Sequence, residues 1–248
     1  MSPFQDEAFW KALGIIILLL SPAILGQILY YIIEYYYVHH RYNVESTEYS
    51  AKDLVHKYLY EHHMHCTIRL TKGSLTDCYV PEKDYIYLSE AVYPSRSLLS
   101  ISIAFHELGH AVAFKNRERM HMLSMWVPGF IKVSTAMTIA GTFCLATGIL
   151  NDRPWVWFGT LFFWGLYFFG AFTIIKREWI ASQFALKMLQ ELQIKDEDYQ
   201  KCKVLLRACW LTYVLQMIAR LTIMVIVLLG SNNKVNNKEK DRQSNRSR

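Results

Sequence analysis

SLLSISIAFHELGHAVAF, residues 97–114, carries two histidines four positions apart with a glutamate directly after the first. On a helix, side chains at i and i+4 stand one above the other, so His106 and His110 can turn imidazole nitrogens to a single metal ion. Glu107 lies beside that face without being a ligand. A Zn²⁺ held by two neutral imidazoles needs a third protein ligand and keeps a fourth position for water, whose pKa falls from about 15.7 toward about 7. Glu107 is then placed to take the proton as the water attacks a carbonyl. The flanking residues support a helix: Leu98, Leu99, Ile101, Ile103 and Phe105 precede the motif, and Ala111, Val112, Ala113 and Phe114 follow it, with no proline in between. Gly109 costs about 1 kcal/mol against alanine in a helix interior, a cost that makes sense if another backbone passes close by. The plainer alternative is a core helix that happens to carry two histidines.

Working outward, the 248-residue chain is 52% hydrophobic and 15% aromatic, with the apolar residues gathered in long blocks, which points to a small domain joined to a membrane bundle. The net charge of +6 comes from basic residues beside those blocks and in the tail, where a membrane surface accounts for them. No basic stripe interleaved with aromatics appears, so no nucleic-acid partner is expected. The five cysteines, Cys66, Cys78, Cys144, Cys202 and Cys209, form no C-x-x-C pair. Cys66 and Cys78 can join only in an oxidising compartment, and free thiols are expected.

In chain order, residues 1–33 read as an N-terminal anchor, because Ala12–Ile33 is a 22-residue run without charge, enough to cross roughly 30 Å of hydrocarbon. Tyr30, Tyr31, Tyr35, Tyr36 and Tyr37 suit a membrane interface. Residues 34–121 read as a water-exposed α+β unit. In it, Ser50–His63 forms a helix with Ser50 as N-cap, and Cys66–Leu70 and Asp84–Leu88 are short strands. Between them, Lys72–Lys83 is turn-rich, and the motif helix runs from near Ser95 or Ser97 to about Arg119. His56, His62, His63 and His65 straddle a helix end and are read as exposed. Residues 122–175 form a transmembrane hairpin, with Asn151–Arg153 as the polar turn between Met122–Leu150 and Pro154–Ile175. Residues 176–207 form a helix with an apolar stripe, 208–230 a last span containing Arg220, and 231–248 a polar, disordered tail. The fold class is therefore mainly α: about four transmembrane helices plus a small α+β unit. Because the hairpin goes out and returns, Glu178 arrives on the same side as HELGH and is the best candidate for a third ligand. Read alone, it is a surface carboxylate beside Lys176 and Arg177.

The order LTDCYVPEKDYIYLSEAVYPSRSLLSISIAFHELGHA (75–111), a transmembrane hairpin, EWIAS (178–182) and a final span resembles the bacterial YugP-type membrane zinc metallopeptidases from about Asp53 to Leu229. More distantly it resembles the gluzincins of the HtpX and CAAX prenyl endopeptidase group. The resemblance implies a gluzincin-like fold with one Zn²⁺ per chain. It implies His106, His110 and Glu178 as ligands, Glu107 as base and acid, and an edge strand ahead of the motif helix. Two positions depart from the pattern: Ser182 stands where gluzincins place an aspartate that orients a motif histidine, and Cys78 stands where a histidine is common.

The resulting expectation is a multipass membrane zinc endopeptidase acting on peptides or membrane proteins within a lipid bilayer. Its substrate would add as a strand along Asp84–Leu88. The rival is a membrane adaptor or scaffold with a structural or degenerate zinc site. Counting cations near the apolar blocks, the positive-inside rule favours a cytoplasmic active site. The sequence sets no oligomeric state and, with 16 tyrosines, names no oxyanion donor.

Overall fold

A computed structural model describes residues 24–35, 37, 44, 46–73, 76–117, 119–147 and 153–246, with backbone alone at 119–126, 128, 146–147, 223 and 226–246. These residues sort into two compact units. One holds Ile28–Trp126 and Thr173–Tyr213, and the other holds residues 24–27, Val127–Phe172 and the chain from Val214 onward, so that the helix at residues 24–35 runs from one unit into the other.

The first unit is built around the motif helix. Helix α1 covers residues 24–35, and α2 is Ala51–Glu61. Ser50 caps α2 as its sequence suggests. Its hydroxyl accepts from the backbone N–H of Asp53, while the Asp53 carboxylate accepts from Ser50 N–H, a reciprocal capping box. Leu54, Val55 and Leu59 turn inward from α2. Three short strands follow: β1 (Thr67–Thr71), β2 (Cys78–Val80) and β3 (Tyr85–Ser89). The sequence anticipates β1 and β3. It misses β2, a three-residue strand lodged between Gly73 and Pro81 that forms only because β3 pairs with it.

The sheet order is β1-β3-β2, with β1 parallel and β2 antiparallel to β3. This corrects the expected docking strand. Tyr85–Tyr87 are paired on both sides, so β3 has no free backbone to offer an incoming peptide over that stretch, and the open edges belong to β1 and β2. Where β2 stops, Asp77 takes over: its carboxylate accepts from Ser89 N–H at 2.7 Å and from the Ser89 hydroxyl at 3.1 Å.

Helix α3 (Leu98–Lys115) buries thirteen of its 18 residues, the pattern of a helix covered on every side. Phe105, Leu98, Leu99, Ile101 and Leu108 pack in one core with Ile86 and Leu88 of β3, Val55 of α2, and Ala185, Leu189, Leu205 and Leu206 from later in the chain. Each such fully buried large side chain contributes roughly 1.5–3 kcal/mol. Tyr37, expected at an interface, is instead buried with its hydroxyl 3.1 Å from Ser100 Oγ. Helix α3 stops earlier than expected, at Lys115, because Arg117 turns left-handed at φ 54°. There Lys115 forms an ion pair with Asp84 at the start of β3.

The second unit contains most of α4 (Arg119–Thr147) and the first part of α5 (Pro154–Glu191). A Cβ on Gly141 would meet Thr160, and one on Gly170 would meet Ile131 and Val127. Close approach rises along one helix as it falls along the other, so the two run antiparallel, with small residues letting them touch. Phe130, Phe143, Phe158, Phe162 and Phe169 point outward, an apolar coat suited to hydrocarbon. Arg220 lies near the Tyr167 hydroxyl.

Among the described residues, Pro154–Glu191 and Asp196–Thr222 are long and apolar enough to cross a membrane, whereas the apolar part of α4, Gly129–Leu145, is shorter. The expected first span, Ala12–Ile33, lies mostly outside the described residues. Two further differences concern continuity. The segment expected as a separate helix from residue 176 is the second half of α5, and α6 (Asp196–Arg246) carries helical backbone through most of the expected disordered tail.

Candidate metal centre

The centre forms where α5 crosses α3. A Cβ on Gly109 would lie 2.9 Å from Ala181 O and 3.0 Å from Ala181 Cα, so only glycine admits α5 this close. That contact fixes the residues one turn away on each helix. His106 and His110 on α3 face Glu178 on α5, and the three buried or half-buried groups close a triangle. His106 Nε2 is 3.2 Å from Glu178 Oε2 and 3.2 Å from His110 Nε2, and His110 Nε2 is 3.5 Å from the same carboxylate oxygen. A tetrahedral zinc with ligand bonds of about 2.0–2.1 Å requires ligand atoms about 3.3 Å apart. The triangle has those edges, so the donor set fits the ion. Glu107, within 4.8 Å of both imidazoles, is buried on the same side of α3 and free to face a reactant.

Two of these three groups are held from behind. Ser182, one turn beyond Glu178 on α5, places its hydroxyl 3.2 Å from His106 Nδ1, which sets the ring so that Nε2 faces the centre. Arg177 donates from Nε at 3.2 Å and from Nη2 at 2.8 Å to Glu178 Oε1, leaving Oε2 for the histidines. Burial pushes the Glu107 carboxyl up, against the pull of His110 and His106. For His106, burial disfavours the imidazolium, but the Glu178 hydrogen bond and the charges of Glu107 and Glu178 outweigh it, and the net direction is up. Burial likewise raises Asp77, although it accepts two hydrogen bonds from Ser89.

Two cavities meet here. A polar cleft of about 170 Å³ is bordered by Asp77, Cys78, Tyr79, Glu107, His110 and Arg177, among others. Its wall includes the β2 edge. Cys78 sits in that wall with its thiol pushed up, first by partial burial and then by the charges of Glu107 and Asp77, so it is not a ready nucleophile. None of the five cysteines is joined in a disulfide, as expected, and burial lifts Cys66 to about 12. The second cavity is larger and mainly apolar.

The structure thus brings together all four residues singled out from sequence, and adds Arg177, Asp77 and Tyr213, which border the cleft. Arg177 had a sequence signal, adjacency to Glu178, but that adjacency read as solvent exposure. Asp77 and Tyr213 had none beyond being polar residues in the stretch of resemblance. The four histidines at 56, 62, 63 and 65 are exposed, as expected.

A curated Bacillus subtilis (strain 168) protein named "Putative membrane protease YugP" is 30% identical over 143 residues, covering 58% of this chain and 63% of its own length. The chain therefore spans less than two thirds of that relative. No solved structure matches. Residues 15–232, which include the triangle, its supporting residues and both cavities, match the family described as "Putative neutral zinc metallopeptidase", and the chain belongs to that zinc metallopeptidase family.

Proposed function

We propose that the chain is a membrane-embedded zinc endopeptidase in which His106, His110 and Glu178 hold one Zn²⁺ and Glu107 moves the proton. The observation that carries this reading is the triangle of His106, His110 and Glu178, whose 3.2, 3.2 and 3.5 Å edges suit a tetrahedral ion. When bound, the ion supplies Lewis-acid polarisation of the scissile carbonyl and a water acidic enough to be deprotonated near neutral pH.

The chain's own groups do the rest. A Glu107 carboxylate oxygen takes the proton from the attacking water and delivers it to the departing amine nitrogen. Ser182 and Arg177 keep His106 and Glu178 in register. Tyr213 borders both cavities and is the best-placed hydroxyl to donate to the carbonyl oxygen as negative charge develops there. The peptide lies along the β2 edge, antiparallel or parallel to Cys78–Val80, so that backbone hydrogen bonds carry it across the cleft.

The reading as a membrane protein is supported by the length of α5. Glu178 stands 24 residues after Pro154, the first residue of α5, or about 36 Å along the axis. This is just more than the roughly 30 Å of a hydrocarbon core. One helix can therefore cross the bilayer and present its carboxylate at the surface, on the side where the cation count favours the cytoplasm. The scaffold alternative leaned on loss of the residue that orients the motif histidine, and the Ser182 contact to His106 weakens that support.

The test is Glu107→Gln in the detergent-purified full chain. Zinc content should remain at the wild-type level while peptide hydrolysis falls by about 10²- to 10⁴-fold. Wild-type turnover by this variant would remove Glu107 from the mechanism.

A further inference from the structure

The second cavity, about 280 Å³, shares Asp77, Glu107, Glu178 and Tyr213 with the polar cleft. Beyond these and His106, its walls are mainly apolar and come from three helices: Tyr30 and Ile33 of α1, Ile103 of α3, and Leu205, Leu206 and the polar Thr212 of α6. Ile103 stands one turn before Glu107 on the same helix, so the apolar space opens beside the group that handles the proton. A peptide whose scissile bond lies against Glu107 must therefore direct a neighbouring side chain into it.

We infer that this cavity is the specificity pocket, resting on the endopeptidase reading, and that it selects substrates with a large apolar side chain beside the cleaved bond. The size agrees, because a cavity of about 150 Å³ already accommodates benzene, leaving room here for an indole or a long aliphatic chain. The wall chemistry agrees as well, because an acidic side chain would have to give up its hydration against Ile33, Ile103, Leu205 and Leu206. The anchor helix thereby gains a second role: Tyr30 and Ile33 belong to the recognition wall, and removing α1 would open one side of the pocket.

Two measurements on the zinc-loaded full chain test this. In the first, peptides of the form acetyl-Gly-Gly-X-Gly-Gly-amide are digested by the wild type and by two filling variants from different helices, Ile103→Trp and Thr212→Trp. The wild type should favour Phe, Trp, Leu or Met over Gly and Asp at one position beside the cut. At least one folded filling variant should lose about 10- to 100-fold on the Phe peptide while keeping the Gly and Ala peptides. In the second, acetyl-Gly-Phe-Gly-amide should raise the melting temperature of Glu107→Gln, the all-glycine analogue should not, and Ile103→Trp added to Glu107→Gln should abolish the rise. Hydrolysis indifferent to X, or filling variants that weaken every peptide equally, would overturn the pocket and leave the endopeptidase reading standing. A melting rise from the Phe peptide with no hydrolysis by the wild type would do the reverse. A rise from lysophosphatidylcholine but not from the Phe peptide would give the cavity to a lipid tail and overturn the inference.

Discussion

Two histidine-rich regions of this chain look alike in composition and differ in everything that makes a metal site. His56, His62, His63 and His65 lie on and just after α2, all exposed. His62 spends its ring stacking on Tyr58 at 3.9 Å and places Nδ1 3.0 Å from Tyr58 O, and His63 sits in a left-handed turn. His106 and His110 are only two, yet they share one helix face with a carboxylate across from them. Among the described residues, side chains able to ligate a metal gather in a group of three or more only around His106 and His110, with Glu107 beside them and Glu178 opposite. Density of ligating residues counts for little. What counts is a rigid helix that makes the nitrogens converge, burial that keeps water from competing, and a second helix close enough to bring a counter-charge.

The largest expected effect breaks the contrast outright. By elemental analysis, the wild type should hold about one zinc per chain, as a three-ligand site implies. His110→Ala and Glu178→Ala should each lose nearly all of it, while replacing His56, His62, His63 and His65 together with alanine should change nothing. Zinc retained in Glu178→Ala would detach α5 from the site. Zinc lost in the quadruple variant would mean that the exposed group is a site after all.

Next in size is the close helix crossing beside the motif histidines. Gly109→Ala gains about 1 kcal/mol of helix propensity. It also forces a methyl to within 2.9 Å of a backbone oxygen on α5, and overpacking of this kind costs typically about 1–3 kcal/mol. A lower melting temperature together with weaker zinc binding is the expected pair. An unchanged zinc affinity would show that the triangle tolerates a wider crossing. Smaller again are the supports. Ser182→Ala and Arg177→Ala should each weaken zinc binding by about 10- to 100-fold with little change in melting of the metal-free chain, and Ser182→Thr should recover most of the loss.

How much of this the sequence revealed follows the range of the interactions involved. HELGH was legible because its geometry is local: four residues of helix set the two imidazoles. Glu178 was expected beside HELGH only through topology, from a hairpin read as returning to the side it left, and Arg177 beside it argued the other way until the bond between them was visible. The close crossing at Gly109 was anticipated by its helix-propensity cost, though not the identity of its partner, Ala181. Strand order was not legible at all. Cys78–Val80 is too short for an alternating pattern, so β3 looked like an edge when it is central. Tyr213 joins the site from the far end of the chain, a contact that no spacing rule encodes.

The smallest effect separates the two regions by their response to acid. Helix α2, which leads into the exposed histidines, starts from the capping box, with Ser50 Oγ donating to Asp53 Oδ2 at 2.6 Å and Ser50 N–H at 3.2 Å. Those two hydrogen bonds, the side-chain one first, lower the Asp53 pKa from its ordinary value. A carboxylate lowered on folding stabilises above its unfolded pKa and ceases to do so as pH falls through the lower folded value. Asp53→Asn should therefore cost a little stability at neutral pH, under about 1 kcal/mol for an exposed cap. The gap to wild type should close as the pH drops below about 3.9 and through the folded pKa. Melting curves of the two metal-free chains over that range measure it. A gap that persists below the folded pKa would mean that shape and packing, rather than the charge of Asp53, hold the start of α2.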